Sequence, residues 1–505
     1  MDPIQDALNR VLSLVKIKGA HVVHTSEISR SDREILLHNR WLEEIIRGWY
    51  YLIRPDLTKG DSTAWFACFW DFLRVYLAHH FGTNYCLSAE SSLDLHVGST
   101  VVPQQVIVMA VKGSGVALQL PFGTSLLVYS DPDRIPKNKA LLQGLQVMPL
   151  EYALCKVSPT YFRVAPQEAE LALRLLRDPN TLLKVIVEHN FKTAAGRLIG
   201  AYTFLRETQM ADTLKGGLEL IGVRVDEVNP FERPSPFLTQ GTLLSPYVGC
   251  IKVMWERFRE VVISHFPVPP GLPQDKIEYM NAVTAIYSQD AYNSLSIEGY
   301  RVTEELIEKV KRSEWNPELK SQDNDTYNAL AARGYYEAHL LVEESVRKIL
   351  EGDNPGRRAK EDLHTWYQSM FAPMVRAGIF SPSDLFGYRR NQVYIRNSRH
   401  TPPGYEYIPQ CMDALFELLE QEEHAAVRAV LGHFIFVFIH PFMDGNGRIG
   451  RFLMNGMFAS GGYPWTIIHL SARDTYMAAL EAASVNGDIL PFTKFLAQQV
   501  ALPFR

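Results

Sequence analysis

The chain has 505 residues, of which 47% are hydrophobic and 21% charged, with a formal net charge of −5. This is globular composition at a length that calls for more than one core, and it excludes a chain drawn to nucleic acid or membrane by its overall charge. The five cysteines, Cys68, Cys86, Cys155, Cys250 and Cys411, are scattered and form no C-x-x-C pair, which excludes a disulfide framework and a structural zinc site and suits a reducing cytoplasm.

Met1-Asp2-Pro3-Ile4-Gln5-Asp6 carries two acids where a signal peptide carries basic residues. The strongest apolar run, Phe434 to Ile439, is too short to span a bilayer, so a cytoplasmic protein without membrane contact is expected. Asp6 to Val15 has helical spacing, with Leu8, Val11, Leu12 and Val15 on one side. Leu36 to Trp41 and Leu42 to Ile53 follow, the latter with Arg47-Gly48-Trp49-Tyr50-Tyr51. A short helical unit ending in an aromatic, glycine-turned ribbon suits a winged helix-turn-helix over residues 1–60. DNA contact through residues 20–55 would rest on Arg30, Arg33, Arg40, Arg47 and Arg54. Asp32, Glu34, Glu43 and Glu44 lie between them and dilute that footprint.

Residues 61–228 read as a mixed α/β domain. Helices are expected at Trp65–Ala78, Ala169–Leu176 and Leu182–His189, and strands at Val106–Val111 and Ser125–Tyr129. Pro230, Pro234, Pro236, Gly241 and Pro246 mark residues 229–246 as a linker. Residues 247–505 are expected to be all-helical, with helices at Ile277–Gln289, Thr303–Arg312, Thr326–Glu351, Lys360–Met370, Met412–Glu420 and Ala425–Ile439. The last is apolar nearly all round and should be buried. Between them, Val393, Ile395, Tyr405 and Tyr407 flank a Pro402-Pro403-Gly404 turn, so residues 387–409 read as a β-hairpin flap.

The chemistry concentrates in His440-Pro441-Phe442-Met443-Asp444-Gly445-Asn446-Gly447-Arg448-Ile449-Gly450-Arg451. Pro441 ends the buried helix. Gly445-Asn446-Gly447 forms a tight turn whose amides converge on an anion, and the helix that starts near Gly447 adds its positive end. Arg448 and Arg451 share a helix face and clamp phosphates. Asp444 suits Mg²⁺, and His440 suits a general base. A Walker loop is excluded, because no Gly-Lys-Ser/Thr follows the glycines.

These twelve residues resemble the HPF-x-D/E-GNGR-x-x-R signature of the Fic family. The resemblance runs from about Ala282 to Gln499, with a core at about 360–500. Leu363-His364, Gly387-Tyr388-Arg389, Arg473, Tyr476, Leu480 and Gly487-Asp488 with Pro491-Phe492 look like further family elements. It implies an all-α Fic fold that transfers AMP from ATP, with Mg²⁺, to a Tyr, Ser or Thr hydroxyl of a target protein docked on the flap. His440 would be the base and Asp444 the metal ligand. Asn446 and the loop amides of Gly445 and Gly447 would hold the α-phosphate, Arg448 the β-phosphate and Arg451 the γ-phosphate. Phe442 and Tyr476 would complete the nucleotide site. Met477 and Ser484 stand where relatives often carry Tyr and Asn, which leaves the nucleotide preference open.

Ser294-Leu295-Ser296-Ile297-Glu298-Gly299 resembles the family's S/T-x-x-x-E-G/N inhibitory helix, here near 285–299. It implies that Glu298 pairs with Arg451 and blocks the γ-phosphate position, with Ser294 and Gly299 framing it. De-AMPylation is an alternative activity, and oligomeric state often tunes this brake in the family. In the N-terminal half, Val22 to Tyr51, Tyr85 to Leu93, Pro103 and Val106-Ile107-Val108 look like AbiEi-type antitoxin proteins. That implies either a DNA-binding autoregulator with the Fic region as nucleotide sensor, or a scaffold that docks targets.

Overall fold

The computed structural model describes residues 3–55, 60–231, 245–314 and 323–501. They fall into two units, Met1–Pro246 with Tyr394–Thr401, and Tyr247–Val393 with Pro402–Arg505. Residues 232–244, the greater part of the expected linker, lie outside the described residues.

The first unit opens with α1 (Pro3–Lys18), β1 (Val22–His24), α2 (Arg30–His38), β2 (Leu42–Ile46) and β3 (Trp49–Leu52). The strands form an antiparallel sheet in the order β1-β3-β2, with the Arg47-Gly48 turn between β2 and β3. Ala7, Val11, Val15, Val23, Leu36, Leu42 and Tyr50 make its core. Ser29 caps α2 by accepting from the Asp32 amide, and Asp32 in turn pairs with Arg10. Between β1 and β2 lies one helix, α2, where a helix-turn-helix carries two.

Next come α3 (Thr63–Phe81), β4 (Tyr85–Leu87), α4 (Ala89–His96), β5 (Gln105–Ala110), β6 (Ala117–Gln119), β7 (Ser125–Ser130), β8 (Ala140–Leu142) and β9 (Leu145–Val147). The sheet order is β4-β5-β7-β6, with β5 and β7 parallel. Trp65, Phe69, Phe72 and Leu77 of α3 pack with Val106, Val108 and Leu126 of the sheet. Helices α5 (Leu150–Lys156), α6 (Tyr161–Val164), α7 (Pro166–Leu175), α8 (Pro179–Glu188), α9 (Lys192–Phe204) and α10 (Thr208–Leu220) complete the unit.

The second unit is helical: α11 (Pro246–His265), α12 (Lys276–Ile297), α13 (Glu304–Lys311), α14 (Asp323–Glu351), α15 (Pro355–Arg376), α16 (Ile408–Gln421), α17 (Ala425–Ile439), α18 (Asn446–Ala459), α19 (Arg473–Asn486) and α20 (Leu490–Val500). Asp275, Thr303 and Asn354 cap α12, α13 and α15 with side-chain acceptors. α17 is buried along nearly its whole length, as its apolar circumference requires.

The expected β-hairpin flap is not formed. Residues 387–409 contain no strand, and the single bridge in that stretch pairs His400 with Val101. The physical reason is hydrogen-bond supply. Pro402 and Pro403 have no amide to donate, and their carbonyls accept from the side chains of Gln392 (2.7 Å) and Arg389 (2.5 Å) instead. Residues 394–401 are bound within the first unit. Asn397 Oδ1 accepts from the Ser62 amide at 3.2 Å, the Val102 amide donates to Arg399 O at 2.9 Å, and Arg396 pairs with Asp61 at 3.1 Å.

α14 and α15 approach so closely at Gly334 that a Cβ there would lie 1.8 Å from the Met370 carbonyl oxygen. Gly334→Ala is therefore expected to destabilise this unit by about 1–3 kcal/mol. Urea denaturation followed by tryptophan fluorescence reads this as a lower midpoint, and an unchanged midpoint would refute the close contact.

Candidate active site

The site is built at the turn between α17 and α18. His440 closes α17 in a left-handed conformation, φ 52°, with its amide donating to Phe436 O at 3.0 Å. That conformation costs an L-residue on the order of 1 kcal/mol, so the surroundings must hold it. Arg389 Nε donates to His440 O at 2.8 Å, and the Arg389 amide donates to Pro441 O at 2.9 Å. His440 Nδ1 lies 3.2 Å from Val437 O. A carbonyl only accepts, so Nδ1 carries the proton and Nε2 keeps its lone pair. Burial pushes the imidazole down to about 4 against the Val437 hydrogen bond and the Glu298 and Asp444 carboxylates, with Arg389 adding to the downward push. The ring is neutral at neutral pH.

The loop that follows is held by Asn446. Its Oδ1 accepts from the Phe442 amide at 2.9 Å and its Nδ2 donates to Phe442 O at 2.8 Å. The Phe442 ring stacks on Tyr367, with centroids 3.8 Å apart. Gly445 takes φ 79°, and a Cβ there would press on Phe371 at 2.6 Å. Asp444 stands half-exposed at the rim, with Oδ1 accepting from the Gly445 amide at 2.6 Å and Oδ2 lying 3.3 Å from Arg448 Nη2.

Both arginines of the signature are buried. The Arg448 guanidinium lies between two rings, 4.9 Å from the centre of Tyr300 and 5.0 Å from that of Phe371. Arg451 Nε donates to Ser294 Oγ at 2.8 Å, and Nη2 donates to Ser294 O at 3.0 Å and Glu298 Oε1 at 2.7 Å. Among the described residues, Arg448 Nε and Nη1 and Arg451 Nη1 are buried donors without a hydrogen-bond partner. Such groups are rare in a finished interior and mark a place built for an acceptor. Glu298 ends α12, followed by the left-handed Gly299 at φ 92°. Burial alone would raise its carboxyl, but Arg451 and Arg448 hold it below the usual range. Its Oε1 lies so near the first turn of α18 that a Cβ on Gly447 would sit 2.1 Å away. An acid thus occupies the positive end of the helix between two arginines.

His440, Asp444, Gly445, Gly447, Arg448, Arg451, Ser294, Glu298 and Gly299 therefore come together. Asn446 and Phe442 stand in the same turn, but their side chains are spent on shaping it. Tyr476, expected at the nucleotide, is 1% exposed. Its hydroxyl lies 2.7 Å from His433 Nε2, its ring packs by Phe492 and Phe495, and its phenol faces the Arg451 guanidinium, so it stands behind the arginine end of the site. Arg389, Tyr300 and Phe371 belong to the site without having been singled out from the sequence for these contacts. None sits within the motif, and only the placement of Arg389 at the start of the flap hinted at a role.

The Fic/DOC family model matches residues 360–458. These residues are a Fic domain. The chain is similar to curated proteins named protein adenylyltransferase Fic. The one from Drosophila erecta is 33% identical over 219 residues, 42% of this chain and 40% of the relative. The one from Nematostella vectensis is 28% identical over 233 residues, 45% of this chain and 50% of the relative. The chain thus spans half or less of the length of these two relatives. A solved Fic-1 fragment from C. elegans aligns over 66% of this chain and 89% of its own length, at 19% identity and a TM-score of 0.36.

Within the Fic domain, Asn446→Ala would leave the buried Phe442 amide and carbonyl without partners, a loss of roughly 2–5 kcal/mol. Asn446→Asp retains the acceptor and should lose less. Chemical denaturation of the three proteins tests this order, and equal midpoints would show that the loop does not depend on Asn446.

Proposed function

We propose that this chain is a protein adenylyltransferase held in a resting state by Glu298. One observation carries the reading: a carboxylate fills an arginine-lined anion site at the start of α18, beside a neutral histidine whose Nε2 is free. Relatives that align with two-fifths of the chain bear the name of that activity. In the reaction, His440 Nε2 takes the proton of a target Tyr, Ser or Thr hydroxyl as its oxygen attacks the α-phosphorus of ATP. The new bond is a phosphodiester, and pyrophosphate leaves from the opposite side. Arg448 and Arg451 neutralise the β- and γ-phosphates, and the Gly447 amide in the first turn of α18 serves the α-phosphate, while the Gly445 amide is held by Asp444. Asn446 acts by holding the turn that aims the Gly447 amide.

Among the described residues, no group of three or more His, Cys, Asp and Glu is arranged for a metal. Asp444, half-exposed at the rim, fits a Mg²⁺ ion that takes its other ligands from phosphates and water. The ion would supply charge neutralisation. No helix among the described residues is long and apolar enough to cross a membrane.

Glu298 Oε1 takes the Arg451 Nη2 donor that a γ-phosphate would use. Its Oε2 accepts no hydrogen bond among the described residues, which suits the same carboxylate to orienting a water for AMP removal. In the first unit, Arg30 pairs with Glu34 at 2.7 Å and Arg33 bonds to Thr25.

Incubation with α-labelled ATP and Mg²⁺ is expected to label protein at least tenfold more strongly with Glu298→Gly than with wild type. His440→Ala in the Glu298→Gly background should abolish the label, and γ-labelled ATP should leave none on protein. Equal labelling by wild type and Glu298→Gly would overturn the brake, and label that survives His440→Ala would overturn the base.

The depressed imidazole sets the pH profile. The base must be neutral, and a value of about 4 keeps it neutral far below the ordinary histidine range. The single-turnover rate of Glu298→Gly should therefore stay nearly flat from about pH 8 to pH 6 and fall only as the ring protonates at lower pH. A midpoint near the ordinary 6.5 would contradict the buried, neutral assignment.

A further inference from the structure

We propose that Arg389 is the positioning residue that fixes the reactive geometry of His440 and ties it to the segment Gly387–Pro403, an inference that rests on His440 being the base. Arg389 is 4% exposed. Its five hydrogen-bond donors are fixed in one plane, so each bond it makes constrains the others. Nε donates to His440 O at 2.8 Å, Nη1 to Asn391 O at 2.9 Å and Nη2 to Pro403 O at 2.5 Å. Its own amide donates to Pro441 O at 2.9 Å. One residue thus holds the two consecutive carbonyls at the left-handed corner and both sides of the irregular segment.

The consequence for His440 is geometric. Its φ of 52° lies where an L-residue does not rest unaided. At that corner the carbonyls of His440 and Pro441 can no longer accept within α17, and Arg389 supplies a donor to each. The imidazole direction follows from the backbone angle, because Nδ1 reaches Val437 O only while His440 turns back over the last turn of its helix. A shift of the corner by about an ångström is enough to misplace Nε2 and to cost on the order of a hundredfold in rate. The guanidinium also adds a positive charge beside the imidazole, where the carboxylates of Glu298 and Asp444 act in the opposite sense. The same fork makes His440 respond to the segment. Any partner that draws Pro403 away from Asn391 pulls on the guanidinium that holds the His440 carbonyl.

The test uses the full chain with Arg389→Lys, which keeps the charge and loses the fork, and Arg389→Met, which loses both. Each is made alone and with Glu298→Gly. The His440 ring is followed by NMR titration, assigned with His440→Asn, and labelling from α-labelled ATP is followed separately. Arg389→Met is expected to raise the His440 titration midpoint and to lower kcat at least tenfold, with KM for ATP within about twofold. Arg389→Lys should leave the midpoint nearer wild type while still losing most of kcat. An unmoved midpoint together with an unmoved kcat in a folded Arg389→Met protein overturns the proposal. Loss of kcat and a rise in KM by the same factor, with the His440 resonance unshifted, also overturns it. A moved midpoint in a chain that labels nothing in any variant supports the positioning role and refutes the transferase reading. If Arg389→Met fails to fold, Arg389→Lys carries the test, and wild-type kcat in that variant overturns it.

Discussion

A buried guanidinium needs an acid, and the second unit contains two of them at one spot. Arg448 and Arg451 lie on the same face of α18 with hardly any exposed surface. Their charges cannot be shed by deprotonation, because burial and aqueous pH do not reach a guanidine's range. Removed from water without compensation, each would oppose folding by several kcal/mol. The chain meets this with aromatic faces on Arg448 and with the Glu298 carboxylate on Arg451. Phosphates offer the same compensation with more charge. Under the proposed function the same donors would take either the chain's own acid or a nucleotide's phosphates, and exchange between them would be a competition between like-charged groups.

The geometry of that pocket is inherited from α17. An all-round apolar helix has one stable place, inside, and its burial fixes where His440 emerges. Pro441 prevents continuation, Gly445 permits the left-handed turn, and the Asn446 amide clips the turn shut on Phe442. Phe442 then locks the turn onto α15 through Tyr367. None of these groups needs to touch a substrate. They place the free Nε2, the loop amides and the start of α18 around one point, and catalysis by positioning asks for nothing more elaborate.

What could be read from the sequence was what the sequence keeps local. The twelve-residue motif, the apolar circumference of α17 and the start of α18 are each decided by neighbours within a few residues. Glu298 was legible only through the family resemblance, since 153 residues separate it from Arg451 and no local rule joins them. Long-range partnership also hid the rest. α9 is rich in small residues, α10 carries two glycines, and neither shows a helical stripe strong enough to stand out. Residues 387–409 alternate like a hairpin, yet their backbone is satisfied by the Arg389 and Gln392 side chains and, at 394–401, by bonds within the first unit. Tyr476 is placed by packing between His433 and the Arg451 guanidinium, a pairing that no local rule announces. The pattern shows the chemical kind of each residue, and tertiary packing decides which way it faces.

The tethering of the segment that carries Glu298 shows what moving it would involve. Asn293 accepts from the Leu470 amide at 2.8 Å, Arg473 donates to Ile297 O at 2.9 Å, and the Arg301 amide donates to Asn328 at 3.0 Å. The last turns of α12 and the residues after Gly299 are thus bonded both to the approach to α19 and to α14. Tyr300, directly after Gly299, covers Arg448 from the same segment and stacks on Tyr327. Swinging Glu298 away as a rigid part of this segment would break all of these bonds and uncover Arg448 as well. A side-chain rotation at Glu298 alone would break only the bond to Arg451 Nη2. If an anion is to displace Glu298, the less costly path is local: the carboxylate turns out by side-chain rotation while the helix stays in place, and the segment that carries it need not unfold.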